Sequence, residues 1–108
     1  MNIFRNPNTD RSGSRFDEHT KAAVWIKATV VSGTDPRIRR KDVCGAWIDW
    51  GQYGITNHHG NGWEIDHIRP VATGGTDDLS NLQPLQWENN RTKGDDYPAA
   101  AFCAVSAR

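Results

Sequence analysis

The chain lacks most of the features that would place it quickly. Only two of its 108 residues are cysteines, Cys44 and Cys103, and no Cys-x-x-Cys pair occurs. That excludes a zinc ribbon and a multi-bridge disulfide framework. One bridge between the two thiols stays open, but reduced thiols are the expectation. No run approaches the ~18 apolar residues that a membrane span needs. The start, "MNIFRNPNTDRSGSR", has no apolar stretch of the kind a secretory signal carries. A cytoplasmic protein without membrane contact is the default expectation. Net charge is missing as well, because 13 Lys and Arg offset 13 Asp and Glu. A zero total argues against a nucleic-acid partner until its distribution is considered. Residues 1–41 hold nine Lys/Arg and four Asp/Glu, whereas residues 42–108 hold four and nine. A basic half suits phosphates and an acidic half suits a cation. An ordinary mixed surface is the other reading.

What the chain does have is five Trp and ten Gly, a few large anchors among many sharp turns. Its length fits one small domain with a modest core. Residues 1–15 are polar and read as a flexible arm or a partly ordered lead-in. Residues 16–31 look helical: Phe16, Ala23, Ile26 and Val30 recur at helical spacing, Val24, Ala28 and Val31 widen the stripe, and Asp17 and Glu18 favour the N-terminus. "SGTDP" ends that element. "RIRRKD" (37–42) is a basic run that contacts phosphate or forms a solvated loop. "VCGAWIDWGQYG" (43–54) reads as a short strand or hairpin. "WEIDHI" (63–68) is a β-like segment, and a loop of about a dozen residues follows it. "NLQPL" (81–85) suits a short edge strand because it carries Pro84. A short helix begins near Gln86 and stops at Gly94. The tail from 98 to 108 is weakly patterned, and disorder is the expectation there. The five Trp are expected in the core.

Along the strand–loop–strand–helix unit lie Asp66, His67, Asn81, Asn90 and Lys93. The elements "IDHIRP", "GG", "NLQPL" and "NNRTK", in this order and spacing, resemble the HNH endonuclease family, also called the ββα-metal fold. The resemblance covers residues 63–95. It implies an α+β fold: a small ββα-metal core within a single nuclease domain at 16–97, preceded by an N-terminal helix and an extra short strand or hairpin. Many relatives place Cys-x-x-Cys-His at the start of the helix and Cys-x-x-Cys upstream to bind a structural zinc. Here Gln86 and Asn89 occupy the two helix cysteine positions, so no structural zinc is expected. Cys44-Gly45 resembles a remnant of the upstream pair. Asn90 stands at the metal-ligand position, where Asn is itself a family variant.

The chemistry fits these residue types. Cleavage of a phosphodiester by water needs a deprotonated nucleophile and neutralisation of the charge that builds on phosphate and leaving oxygen. A free imidazole titrates near ~6.5, so a histidine at position 67 can take a proton from water. Asp66 offers hard carboxylate oxygen and Asn90 an amide oxygen, a pair that favours Mg²⁺, or Mn²⁺, over zinc. By resemblance, Asn81 belongs to the catalytic set by pinning the loop or the base rather than reacting. Lys93 and Arg91 on the helix are candidates for phosphate contact, and so are Arg39, Arg40 and Lys41 in the basic run. The resemblance implies DNA as substrate, with RNA open, and products carrying 5′-phosphate and 3′-hydroxyl ends. A single site cuts one strand, so a monomer should nick and a homodimer could cut both. The competing reading is a nucleic-acid-binding module that kept the fold without catalysis. Beside this set, the adjacent His58 and His59 lie in a Gly/Asn loop and are not expected to be ligands. Glu64 shares a strand face with Asp66 and could support it. "GGTDD" lacks the ending of a phosphate cradle, so its glycines are expected to serve a tight turn.

Overall fold

In the computed structural model, which describes residues 5–97 and 102–106, the chain runs α1 (Glu18–Trp25), β1 (Arg39–Lys41), β2 (Trp47–Asp49), β3 (Trp63–His67), β4 (Leu82–Gln86) and α2 (Trp87–Lys93). The strands form two antiparallel pairs, β1–β2 and β3–β4. In the second pair Trp63 lies opposite Gln86 and His67 opposite Leu82. α2 follows β4 directly, with Gln86 as its N-cap and Gly94 beyond its last turn. The expected α+β core of two strands and a helix, with an N-terminal helix and an additional hairpin, is therefore present.

All five residues of β3 are buried, and contacts reach it on both edges. β4 covers one edge. On the other, Asn8 Oδ1 accepts the Ile65 N–H at 2.7 Å and the Gly54 N–H donates to the Trp63 carbonyl at 2.8 Å. The outward Ile65 N–H of this buried strand is therefore not left without a partner. Asn8 Oδ1 also accepts from the Tyr53 hydroxyl at 2.9 Å. Burial pushes the Tyr53 phenol up to about 12, so it remains a donor across the working pH range. Residues 5–15, which the sequence presents as an arm or lead-in, are thus tied to β3. Residues 1–4 lie outside the described residues.

α1 is shorter than the periodicity suggests. Asp17 caps it by accepting the Thr20 N–H at 2.7 Å, but it ends at Trp25 rather than near Val31. Thr29 instead exchanges two backbone hydrogen bonds with Lys41, at 2.8 and 3.0 Å. The β-branched run Thr29-Val30-Val31 favours this extended pairing. Ile26 and Val30, expected on the buried stripe, face solvent, while Val24, Trp25 and Ala28 are buried. The core forms where Trp25, Trp63, Ile48, Ile65 and Leu82 meet, with Trp50 and Tyr53 against them. Trp47 and Trp87 are not part of it. Trp47 lies under Lys41 Nζ at 4.7 Å, and Trp87 meets the His58 ring at 5.1 Å.

The two cysteines are bridged, which corrects the expectation of reduced thiols: Cys44 and Cys103 form a disulfide across 59 residues. The bridge brings part of the tail onto the domain. The side chain of Asn89 accepts from Val105 N–H at 2.7 Å and donates to its carbonyl at 2.8 Å. The expected disorder therefore does not hold for 102–106, and residues 98–101 and 107–108 lie outside the described residues. Asp42 completes this corner. It accepts from Cys44 N and Ala46 N, each at 2.9 Å, and from Gln86 N and Asn89 Nδ2, at 2.9 and 3.1 Å. Gln86 and Asn89, at the family's zinc-ligand positions, are thus engaged by a carboxylate and by the tail.

A bridge closing a loop of this length stabilises by about 2–4 kcal/mol. For a domain of this size each kcal/mol corresponds to ~4–8 °C. Thermal melts of the oxidised protein and of Cys103→Ser should differ by roughly 10 °C or more, with the variant lower. Equal melting temperatures would show that the bridge adds nothing to the stability of the fold.

Candidate active site

The site is assembled where β3 ends over α2. Asn90 and Lys93 sit one turn apart on the face of α2 turned to β3, as their spacing requires. Lys93 Nζ donates to Asp66 Oδ1 at 3.2 Å and to the His67 carbonyl at 2.9 Å. Across the sheet, Gln83 opposite Asp66 donates from Nε2 to Oδ2 at 2.9 Å. Glu64, one pleat before Asp66, accepts from Asn90 Nδ2 at 2.9 Å and from Arg91 Nε and Nη2 at 3.2 and 3.0 Å. This fixes the amide of Asn90: its NH₂ is held by Glu64, and its oxygen accepts no hydrogen bond among the described residues. Glu64, read from the sequence as possible support for Asp66, in fact supports Asn90.

Asp66, His67, Asn90 and Arg91 line one cleft of about 220 Å³. The segment Arg5–Thr9, which reads in the sequence only as an arm or lead-in, lines it as well. Asn81 does not line the cleft but closes the loop beneath it. Its Oδ1 accepts the Arg69 N–H at 2.8 Å, and its Nδ2 donates to the Arg69 and Thr76 carbonyls at 3.1 and 2.8 Å. The same loop needs its glycines. Gly74 has φ +98°, and a Cβ on Gly75 would lie 1.7 Å from the Arg69 carbonyl oxygen.

The phosphate-contact candidates are scattered. Lys93 is only 2% exposed, and its ammonium is committed to Asp66 and the His67 carbonyl. Arg39 pairs with Asp49 at 2.7 Å. Arg40 donates to the Pro36 carbonyl at 2.9 Å and lies over Trp25. Lys41 lies over Trp47. None of these four lines the cleft, whereas Arg91 and Arg5 do. His58 is turned to Glu88 at 3.4 Å and to Trp87, away from the site.

One carboxylate at the site went unnoticed in the sequence. Asp77 Oδ1 lies 2.8 Å from His67 Nε2. It sits in "GGTDD", where an acid in a polar loop carries no signal of its own. Only the closing of the loop by Asn81 and the glycines brings it to the imidazole.

Among the described residues, no group of three or more His, Cys, Asp or Glu side chains is placed to hold a metal. The donors at the cleft are the Asp66 carboxylate and the unbonded oxygen of Asn90. Such a pair fits a hard cation of the Mg²⁺ type, which is bound through one or two protein oxygens and keeps water and substrate phosphate in its other positions. Burial pushes the Asp66 carboxyl up from its ordinary value. The hydrogen bond from Gln83 and the charge of Lys93 oppose that shift.

Residues 52–96 match the family model of the HNH endonucleases. No curated protein and no solved structure matches the chain.

A carboxyl raised in the folded state contributes stability that is full below the unfolded value and is lost as pH rises through the folded one. In metal-free buffer, Asp66→Asn, which cannot ionise, should therefore gain in melting temperature on the wild type as pH rises through the carboxylate range. Paired thermal melts check this. A wild type that gains on the variant over that range would mean that Lys93 outweighs burial.

Proposed function

Residues 52–96 belong to the HNH endonuclease family, and on that premise we propose that the chain is a metal-dependent endonuclease that hydrolyses phosphodiester bonds in DNA. The observation that supports this most is the convergence of Asp66, His67 and Asn90 on one cleft. His67 takes a proton from a water molecule. The water oxygen bonds to phosphorus, the bond to the 3′ oxygen breaks, and that oxygen leaves with a proton from solvent. The ends are then 5′-phosphate and 3′-hydroxyl. Asp66 and Asn90 would hold one Mg²⁺ or Mn²⁺ ion, which supplies neutralisation of the charge gathering on the phosphate and the departing oxygen. Arg91 and Arg5, which both line the cleft, are the guanidinium groups there that suit a phosphate backbone. A single site of this kind cuts one strand, so a monomer nicks. No helix among the described residues is long and apolar enough to cross a membrane. A disulfide persists in oxidising compartments, so the bridge favours such a setting over the cytoplasmic one.

A specific observation supports the alternative of a nucleic-acid-binding module without catalysis: both oxygens of Asp66 already accept protein hydrogen bonds, from Lys93 and Gln83. The two readings separate on supercoiled plasmid. The endonuclease converts it to the open-circular form with Mg²⁺ or Mn²⁺, stops in chelator, and loses at least ~100-fold of its rate in His67→Ala. Salt-sensitive DNA binding with no nicking under either ion would select the binding module. Undiminished cleavage by His67→Ala would remove histidine from the mechanism.

A further inference from the structure

We infer that Asp77 is the positioning residue for His67, fixing the imidazole proton on Nε2 and leaving Nδ1 as the nitrogen that accepts the proton from water. The inference rests on the endonuclease reading for its consequence, but its geometry stands apart from that reading. An ionised carboxylate has no proton to donate, so at 2.8 Å from Asp77 Oδ1 the His67 Nε2 must be the donor. The neutral ring then carries its lone pair on Nδ1. That nitrogen makes no hydrogen bond to any described residue and is not sealed from solvent. The ring belongs to a residue lining the cleft, and Phe16 lies against it at 5.8 Å, which restricts its rotation.

Asp77 is itself held. The Arg11 N–H donates to its two oxygens at 3.0 and 3.3 Å, so the N-terminal segment grips the carboxylate that grips the imidazole. The loop reaches this point because Gly75 has no side chain to strike the Arg69 carbonyl and because Asn81 spans from Arg69 to Thr76, the residue before Asp77. The Asp77 side chain is about one-third exposed (36%). Its replacement therefore leaves the core intact.

The arrangement also gives the imidazolium formed during proton transfer a carboxylate at the opposite nitrogen, the part such a group plays beside a general base. Asp77 is not among the residues lining the cleft and takes no proton in this arrangement, so its effect should fall on turnover rather than on DNA binding.

The test has two arms. In the first, proton–nitrogen NMR of histidine-labelled protein, without DNA, should show an exchange-protected N–H of His67 assigned to Nε2. The signal is identified by its loss in His67→Gln, and it should also vanish in Asp77→Ala. In the second arm, plasmid-nicking kinetics of Asp77→Asn and Asp77→Ala should show kcat lowered about 10-fold or more, with KM for DNA changed by less than about two-fold and the melting temperature nearly unchanged. Absence of the protected resonance in the wild type, its survival in Asp77→Ala, or its assignment to Nδ1 would overturn the inference. So would variants of a nicking wild type that keep full kcat, or that lose activity only in step with stability. If the wild type does not nick, the endonuclease reading fails, and the NMR arm alone decides whether Asp77 holds His67.

Discussion

The ammonium of Lys93 joins the helix to the end of the strand, and the site depends on that junction. It reaches from α2 to both the Asp66 carboxylate and the His67 carbonyl. It therefore fixes the height of the helix against Asp66 and His67, the two residues proposed to carry the chemistry. A buried pair of this kind is a poor source of net stability, because desolvating two charges cancels most of their attraction. Its value is in geometry: removing one partner strands the other, so the register of α2 on β3 has few alternatives. Glu64 repeats the device one pleat earlier by holding Asn90 and Arg91. Strand and helix are thus joined by two carboxylates, and the face between them is presented to the cleft.

The opposite end of α2 is secured differently. Where the resemblance expects zinc ligands in many relatives, Gln86 and Asn89 are instead taken up by Asp42 and Val105. The Cys44–Cys103 bridge holds the tail to the same corner. Hydrogen-bonded carboxylate, amide and disulfide together do what a metal does in a small domain: they tie distant chain segments where the core is too small to do so alone. Asn90 follows Asn89 directly, so one residue anchors the tail while the next faces the cleft.

The ββα unit was legible in the sequence because each of its parts has a local cause. Trp63 to His67 alternates and ends before a proline, Pro84 confines its strand to an edge, and Gln86 and Gly94 bound a helix. Asp66, His67 and Asn90 are named by their order in a pattern that resembles the family's, and Asn81, to which the resemblance gives the loop or the base to pin, bonds Arg69 and Thr76. What escaped the sequence depends on non-local contacts. α1 ends early because Thr29 pairs with Lys41, twelve residues on. The segment around Asn8 is held by distant partners, a strand edge 57 residues away and the Tyr53 hydroxyl 45 residues away. Nothing in a lone pair of cysteines says that they meet. Lys93 reads in the sequence as a phosphate contact, and only the tertiary structure shows that its charge is spent inside the protein.

The central claim is that one carboxylate and one amide, held at the junction of β3 and α2, form a single cation site, with the imidazole beside it and not part of it. Titration calorimetry with Mn²⁺ tests this most directly, using wild type, Asp66→Ala, Asn90→Ala and His67→Ala. The account predicts one site per chain in the wild type and in His67→Ala, and binding lost in Asp66→Ala and weakened about 10-fold or more in Asn90→Ala. Unchanged binding in Asp66→Ala, or loss of binding in His67→Ala alone, would contradict it.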